Sequence, residues 1–375
     1  MAPHLVFLLT DDLGYYNVGF QGNSEQDTPF LDSLASSGVQ LTRHYAAAVC
    51  SPARAALLSG RLPYHVTQNN EVNDIRSSSG IDLRMTLLPE KLQDAGYLTS
   101  CVGKWHLGAR NTSFLPASRG FDTHFGFLKG ANDHWTQAMA QYRGSGSPPP
   151  DLWRNFTSAV GEDAKSYGTW LWLQEAERVI ALANATDRKL FLYLAFQNPH
   201  APFQAPSHLM DTDISHKARR TYTAMVTAID RAVDNITVAL RHHGLFNDSL
   251  IIFTSDNGGK THGCVDKATN GCGNKYPLRG QKFTAFEGGV RTPTFIAGGY
   301  LPVHLHGRSW NGLVSIADWY ATLCALANVT AEDQRSSQVP AIDSLNFWPQ
   351  LVDVTASNRS EVGPFLQRTS IDITS

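Results

Sequence analysis

The chain has 375 residues, of which 42% are hydrophobic and 17% are charged, and it contains 30 glycines. This composition is typical of a globular enzyme with a large core, built as one big domain or as one domain with an appendage. The formal net charge of -2, with no block of like charge, argues against a nucleic-acid-binding protein.

Apolar, β-rich runs alternate with segments of helical periodicity, which predicts an α/β domain built around a largely parallel sheet. The first strand is expected at residues 4–9. A helix follows at about residues 29–37, with Thr28 as its N-cap and a proline at its first position. A second helix is expected to begin at Pro52, with Ser51 as its N-cap, and to run to Gly60.

The rest of the chain continues this alternation. Further strands are expected at residues 98–102, 190–196 and 250–254, and a long amphipathic helix at residues 217–243. A stretch rich in Gly, Ser and Pro at residues 143–150 has the composition of a loop and cannot lie inside an element. We interpret it as part of a surface excursion, about residues 129–165, between two halves of one sheet.

Polar or charged residues follow four of the predicted strands. Ligands of open parallel sheets bind outside the carboxyl ends of the strands. We therefore expect Asp11, Lys104, His200 and Asp256 to share one rim. His106 is two residues from Lys104 and can reach the same site.

Two of these strand ends carry oxygen ligands. Asp11 and Asp12 form a carboxylate pair, and Asp256 with Asn257 adds a carboxylate and an amide oxygen. Such acidic pairs are more often solvated loop residues, but a hard divalent cation needs several oxygens of this kind. Calcium is favoured over magnesium because no tight octahedral set is evident, and zinc is disfavoured because the ligands are oxygens.

The most informative residue is Cys50, which opens a C-x-P-x-R pattern that ends at Arg54 and is followed by a Leu-Ser-Gly-Arg run ending at Arg61. An isolated cysteine is more often a buried structural thiol. This one is expected just before a helix N-terminus, where free N–H groups and the helix dipole favour an anion such as sulfate. Arg54 adds a cation nearby.

In their order along the chain, these motifs resemble those of the type I sulfatases, from about residue 4 to residue 343. The matching segments are residues 11–14, 50–61, 103–108, 120–122, 256–259 and 278–291, together with His200. Within that family the chain looks most similar to the arylsulfatase B group, whose members hydrolyse the 4-sulfate of N-acetylgalactosamine in dermatan and chondroitin sulfates.

The resemblance implies an alkaline-phosphatase-like α/β sandwich, in which helices flank a large, mainly parallel central sheet. It also implies a catalytic domain at residues 1–343 and, at residues 344–375, the start of a C-terminal subdomain that is truncated. The expected substrate is a sulfated glycan or a small aryl sulfate.

The resemblance further implies a role for each site residue. Cys50 would be converted to formylglycine by a formylglycine-generating enzyme during maturation, and its hydrated aldehyde would attack sulfur. One Ca2+ would be held by Asp11, Asp12, Cys50, Asp256 and Asn257. The sulfate would be bound by Lys104, Lys282 and His200, and the diol would be oriented by Arg54 and His106. His200 is also the candidate proton donor to the leaving oxygen, and His106 the candidate base.

Three alternatives are left open. The same residues and metal could act on phosphorus, which would make the protein a phosphonate or phosphodiester hydrolase. The chain could instead be a non-catalytic, glycan-binding pseudosulfatase, although all the expected site residues are present. A truncated gene model that folds poorly on its own is the third possibility.

The five cysteines are an odd number. With Cys50 set aside, Cys264 and Cys272 lie eight residues apart in a Gly-rich loop and form a candidate disulfide. Cys101, in a predicted strand, and Cys324, on a predicted helix, are expected to be buried thiols.

Several sequence features bear on the compartment. Seven N-x-S/T sequons indicate a glycoprotein of the secretory pathway, lysosomal or extracellular. They are Asn111, Asn155, Asn184, Asn235, Asn247, Asn328 and Asn358. Met1 lies only three residues before the first predicted strand, which leaves no room for a signal peptide, so we interpret this start as clipped or misassigned. No apolar run reaches the roughly 18 residues of a transmembrane segment.

Overall fold

The computed structural model describes residues 2–66, 80–140, 145–162, 165–211, 213–261, 272–333 and 335–353. Within these ranges the strands are β1 (His4–Thr10), β2 (Val39–Tyr45), β3 (Leu98–Lys104), β4 (Thr123–Phe127), β5 (Trp153–Arg154), β6 (Thr157–Ser158), β7 (Leu190–Ala195), β8 (Ser249–Ser255), β9 (Phe295–Ala297) and β10 (Arg308–Ser315). The α-helices are α1 (Pro29–Ser37), α2 (Cys50–Ser59), α3 (Pro63–Val66), α4 (Leu88–Asp94), α5 (Gly168–Ala185), α6 (Lys217–His242), α7 (Glu287–Val290), α8 (Asp318–Leu326) and α9 (Trp348–Val352).

The ten strands form one sheet in the order β10-β2-β9-β8-β1-β7-β3-β4-β5-β6. Its central strands, β8-β1-β7-β3-β4, pair in parallel. β9 runs antiparallel between β2 and β8, and the short β5 and β6 add an antiparallel edge. The predicted α/β fold with a large, mainly parallel central sheet is confirmed, and the sheet as a whole is mixed.

Strand β1 shows why helices cover both faces of the sheet. Its side chains alternate between the faces, as the period of two in a strand requires. Leu5, Phe7 and Leu9 belong to the apolar core beneath α2, α4 and α8, whereas Val6 and Leu8 belong to the core beneath α1, α5 and α6. All five are buried, and an uninterrupted apolar strand of this kind needs cover on both sides.

Helix α1 receives its N-terminal cap from another helix. Thr28 is at the N-cap position, as predicted, but its side chain does not cap the backbone; its hydroxyl lies 3.0 Å from Oδ1 of Asp32, to which it donates. The backbone N–H of Leu31 instead donates to Oδ1 of Asp230 on α6, at 2.8 Å. Asp230 is buried, so this contact ties the two helices together in the core.

The last described residues pack onto the main core. Phe347 and Leu351 are buried in the same cluster as the apolar residues of α2 and α8. Arg61, at the end of the cysteine motif, donates to the carbonyl of Pro340 at 2.6 Å and pairs with Asp333 at 2.9 Å. The division of the chain at residues 343 and 344 stays a prediction.

The predicted cysteine and glycan sites fall on different parts of the structure. Cys101 and Cys324 are free and buried, as expected, and Cys272 is disulfide-bonded. Its predicted partner Cys264 lies outside the described residues. Among the sequons, Asn111, Asn184, Asn235, Asn247 and Asn328 are exposed, Asn155 is partly buried, and Asn358 lies outside the described residues. No described helix has the length and apolar character needed to span a bilayer.

The contact between Asp230 and Leu31 yields a stability prediction. Asp230→Ala leaves a buried N–H without its acceptor, and we expect a loss of about 1–3 kcal/mol in the free energy of unfolding. Asp230→Asn keeps an oxygen acceptor, so its loss at pH 5 should be smaller. Urea denaturation of the three proteins measures both values, and equal losses would contradict the capping role.

The same residue makes the stability depend on pH. Burial raises the pKa of Asp230 to about 7, so the folded state binds this proton more tightly than the unfolded chain does. The resulting stabilisation is complete below the unfolded pKa of about 4 and is lost as the pH rises through about 7. Asp230→Asn has no such proton, so its stability relative to the unsubstituted protein should rise between pH 5 and pH 8. A constant difference across that range would count against the shift.

Candidate active site

The predicted rim residues meet at one edge of the sheet. Strands β8, β1, β7 and β3 are consecutive neighbours and parallel, so the loops after them emerge together. The loop after β1 carries Asp11 and Asp12, the loop after β8 carries Asp256, and β3 ends at Lys104. Backbone hydrogen bonds continue past the strand ends. The N–H of Asp11 donates to the carbonyl of Asn198 at 3.0 Å, and the N–H of Asp256 donates to the carbonyl of Thr10 at 3.1 Å.

Helix α2 brings residue 50 to this rim. The helix begins at Cys50 with Val49 as its N-cap, so the prediction of a start at Pro52 behind a Ser51 cap is wrong. Pro52 is the third residue of the helix. The N–H groups of the first turn have no partner within the helix, so a proline, which lacks this group, is accommodated there. The hydroxyl of Ser51 is buried and has no hydrogen-bond partner within the described part of the chain, and every residue of the helix is buried.

The Cys50 sulfur contacts two residues of the rim. Its thiol lies 3.5 Å from Oδ1 of Asp11, to which it donates, and Nζ of Lys282 donates to the sulfur at 3.3 Å. Burial raises the pKa of Cys50 to about 12, an effect that the charges of Lys104 and Lys282 only partly offset. As a cysteine, this residue is protonated at neutral pH and is a poor nucleophile.

Three buried carboxylates are each paired with a buried cation. Nζ of Lys104 lies 2.6 Å from Oδ2 of Asp11, and Nζ of Lys282 lies 2.6 Å from Oδ1 of Asp12. Nε and Nη2 of Arg54 both donate to Oδ2 of Asp256, at 2.9 and 2.8 Å.

These pairs set the protonation states. Burial opposes ionisation of Asp12, but the positive charge of Lys282 outweighs it and holds the pKa below its ordinary value. Burial, followed by the nearby charge of Asp11, raises the pKa of Asp256 to about 6. Burial disfavours a charged Arg54, yet the charge of Asp256 prevails and raises the pKa of the guanidinium. Asp12 and Asp256 are therefore both ionised when paired at neutral pH.

Both histidines of the site are neutral. Burial lowers the pKa of His200 to about 3, and burial with the charges of Lys104 and Arg54 lowers that of His106 well below its usual value. His106 has a left-handed backbone, with φ of 62°, and neither ring nitrogen has a hydrogen-bond partner in the described structure. Its ring is thus available to a ligand beside Cys50, in the pocket that both residues line.

The oxygen-rich part of the cluster fits a cation. Asp11, Asp12, Cys50 and His200 each offer a ligand atom, and these atoms lie within 4.8 Å of one another. Nδ2 of Asn257 donates to Oδ1 of Asp12 at 2.7 Å, while Oδ1 of Asn257 is buried without a partner among the described residues. A buried amide oxygen beside carboxylates is a suitable ligand for a hard metal ion. His200 lies closer to this group than the sequence indicated, with Nε2 3.7 Å from Oδ2 of Asp12.

A pocket of about 650 Å³ opens above Cys50. Besides His106, His200 and Lys282, its wall includes residues that the sequence did not single out. Many come from the excursion after β4, namely Gly130, Asp133, Thr136, Ala138, Met139, Ala140 and Pro148. Composition identified this stretch as a loop, but no local pattern indicated that it folds back over the rim, because that placement depends on long-range contacts such as Nε2 of His134 with the carbonyl of His200, at 3.1 Å.

Known proteins with similar sequences are sulfatases. The family model described as Sulfatase matches residues 3–329. Mouse arylsulfatase J is 36% identical over 96% of this chain and 57% of its own length. Human N-acetylgalactosamine-6-sulfatase is 33% identical over 93% of this chain, and human arylsulfatase A 32% identical over 96%. The chain spans 57% of arylsulfatase J and 66% of N-acetylgalactosamine-6-sulfatase. These names support the family without distinguishing the arylsulfatase B group, which stays a prediction.

Solved structures give the same result for the fold. The structure of Ps i-CgsB in complex with k-i-k-neocarrahexaose superposes with a TM-score of 0.83 at 31% identity, over 95% of this chain and 77% of that one. The phosphonate monoester hydrolase of Agrobacterium radiobacter shares the fold at 19% identity, with a TM-score of 0.63 over 95% of this chain and 78% of that one. The predicted alkaline-phosphatase-like architecture is confirmed.

The pair of Arg54 and Asp256 can be tested by stability measurements. Arg54→Met leaves a fully buried carboxylate without its cation, and we expect a loss of about 3–5 kcal/mol in the free energy of unfolding. Arg84→Met is the matched control, because Arg84 pairs with Asp82 at the surface with its side chain 53% exposed, and its loss should be much smaller. Chemical denaturation measures both, and similar losses would contradict a decisive role for burial.

Proposed function

This chain belongs to the sulfatase family, and we propose that it hydrolyses sulfate esters with residue 50 acting in its formylglycine form. One observation carries the proposal: the Cys50 sulfur lies at the wall of an open pocket, in contact with both Asp11 and Lys282. An acid that can help hold a cation and a lysine that can bind an anion thus meet at a single side chain.

The chemistry of residue 50 explains why a cysteine must be modified here. The buried thiol has a pKa of about 12 and does not ionise at neutral pH. Oxidation to an aldehyde and addition of water replace it with a carbon that bears two hydroxyls. One hydroxyl gives up its proton and its oxygen bonds to sulfur, while the bond from sulfur to the ester oxygen breaks and that oxygen takes a proton and leaves as the alcohol. The other then loses its proton, and the sulfated intermediate collapses to the aldehyde and free sulfate, which a serine could not do.

The surrounding cations stabilise charge on the sulfate oxygens. Lys282 already lies 3.3 Å from the atom that the diol replaces, and Lys104 is buried in the same cluster. Preorganised charges in a site shielded from water are usually the largest contribution to catalysis. Arg54 is held by Asp256 and by the carbonyl of Lys104, at 3.1 Å, so its role is to fix the positions of these groups.

The two histidines supply proton transfer. His106 is neutral with unpaired ring nitrogens, so it can accept the proton of the second hydroxyl. His200 is neutral as well, but the negative charge of a bound sulfate raises the pKa of an adjacent imidazole. His200 is therefore the candidate donor to the leaving oxygen once substrate is bound.

The metal in this proposal is one Ca2+. It would be held by Asp11, Asp12, Asp256, Asn257 and the hydroxyls of modified residue 50. Oxygen ligands of this number favour calcium, and when bound it supplies positive charge to a sulfate oxygen. His200, which lies next to these acids, is kept for the substrate in this proposal because a hard cation prefers oxygen to nitrogen.

The proposed substrate is a sulfated glycan or a small aryl sulfate, as the names of the relatives suggest. The proposed setting is the secretory pathway, in a lysosomal or extracellular protein. There the formylglycine-generating enzyme would act on Cys50, Cys264 would pair with Cys272, and the exposed sequons would carry glycans. A phosphonate or phosphodiester hydrolase is not favoured, because the similarity to that class is limited to the fold. A pseudosulfatase is not favoured either, because the described rim keeps every expected charged group.

The modification gives the first functional prediction. In protein from a secretory host, the tryptic peptide with residue 50 should show loss of the thiol and gain of an aldehyde by mass spectrometry. Cys50→Ala should lower kcat for an aryl sulfate by roughly 10³-fold or more, because it removes the nucleophile. Cys324→Ala, which removes a buried free cysteine outside the pocket, is the control and should keep its activity. An unmodified thiol, beside a sulfatase that is modified in the same host, or faster turnover of an aryl phosphodiester, would overturn the proposal.

The proposed calcium site yields a second functional prediction. Chelation should abolish turnover, and added Ca2+ should restore it while raising the melting temperature, since saturation at about 100-fold over Kd adds roughly 2.7 kcal/mol to stability. Asn257→Leu removes one proposed oxygen ligand and should weaken Ca2+ binding measured by calorimetry. Equal restoration by Mg2+, or unchanged Ca2+ affinity in the variant, would contradict the assignment.

A further inference from the structure

A tight turn at the pocket contains a residue that is unfavourable there. The N–H of Thr284 donates to the carbonyl of Gln281 at 3.0 Å, which closes a four-residue turn. Its third residue, Phe283, has φ of 73°. A positive φ at the third position is the mark of a type II turn, in which glycine or asparagine normally occupies that place.

Neither burial nor hydrogen bonding accounts for a phenylalanine at this position. The side chain of a bulky residue is strained in the left-handed region, and glycine would remove the strain. Phe283 is 45% exposed, so much of the free energy of burying its ring is not gained. Its N–H donates to the carbonyl of Ala48 at 2.9 Å, a bond that glycine would make equally well.

The position of the ring accounts for it. Phe283 lines the same pocket as Cys50, and it directly follows Lys282, whose Nζ lies 5.4 Å from the centre of the ring. One turn therefore directs a cation to residue 50 and holds an aromatic ring at the side of the pocket. The turn places the ring at the pocket in the absence of any ligand, which lowers the cost of using it for binding.

The rest of the pocket fits a ring-shaped ligand. Its wall combines apolar groups, such as Met139, Pro148 and Pro202, with the polar Thr136 and Lys260. A hydroxylated ring has an apolar face and polar edges, and pockets of this mixed character bind such molecules through a few oriented polar groups.

We propose that Phe283 is a specificity-determining residue whose ring packs against the ring of the sulfated group, so that the site selects cyclic sulfate esters, above all sulfated pyranose sugars, over acyclic ones. This inference rests on the proposed sulfatase function. It concerns the alcohol part of the substrate, whereas Lys282 acts on the sulfate.

The test uses Phe283→Gly in the full chain, with residue 50 converted in a secretory host. The substrates are a monosulfated N-acetylhexosamine and 2,3-dihydroxypropyl sulfate, which has hydroxyls but no ring. Loss of an aromatic contact should raise KM for the sugar about two- to tenfold, with kcat nearly unchanged and with little effect on the acyclic ester. Phe283→Tyr keeps the ring and should restore the sugar KM.

Two controls separate this role from a structural one. Phe283→Gly should melt at or above the temperature of the unsubstituted protein, because glycine relieves the strain. Phe286→Ala removes another half-exposed ring of the same loop that does not line the pocket, and it should leave the preference for the sugar unchanged.

The possible failures are distinguishable. Absence of turnover for every sulfate ester by the unsubstituted protein would overturn the proposed function and this inference with it. Sulfatase activity with an unchanged KM ratio in Phe283→Gly would overturn the inference alone. A fall in kcat for both substrates alike would also overturn it, because the ring would then serve only to position Lys282.

Discussion

The structure depends on three carboxylates held beside three cations, all six of them almost fully removed from solvent. Transfer of any one of these charges into the interior is unfavourable unless a partner lies within hydrogen-bond distance. Each of the three acids, Asp11, Asp12 and Asp256, has such a partner at 2.6 to 2.8 Å. The cluster is therefore tolerated only while the elements that carry it remain in register, and the sheet around it is correspondingly apolar and closely packed.

That register comes from the parallel strands. β1 pairs with β8 along seven residues and with β7 along five. These backbone hydrogen bonds fix the positions of the strand ends relative to one another. Helix α2, which is buried along its entire length, then sets residue 50 over the same edge. Arg54 lies one turn further along this helix and reaches Asp256, so the helix that carries residue 50 is also anchored to the charged cluster.

Much of this could be predicted from the sequence, and the limits have physical causes. The rim could be predicted from the charged residues that follow the strands, because parallel strands place their carboxyl ends on the same side of the sheet whatever their order. The local preferences of Ser51 and Pro52 predict a start at Pro52, whereas the helix begins two residues earlier, at Cys50, and is buried along its whole length. The wall formed by the excursion after β4 had no local signal, since its position depends on contacts with residues far away in the chain. The role of Asp230 as the cap of α1 was missed for the same reason.

The site contains strained backbone as well as buried charge. Among the described residues, eight that are not glycine have a positive φ, and three of these, Asp12, His106 and Phe283, lie at the rim or in the pocket. Each such residue is destabilising by itself, and it persists because the packing around it permits no other conformation. At the rim this constraint holds a carboxylate and an imidazole in place, and at the wall of the pocket it holds an aromatic ring. Stability and function are thus opposed at these three positions, and replacement by glycine relieves strain at the expense of the group that the strain holds in place.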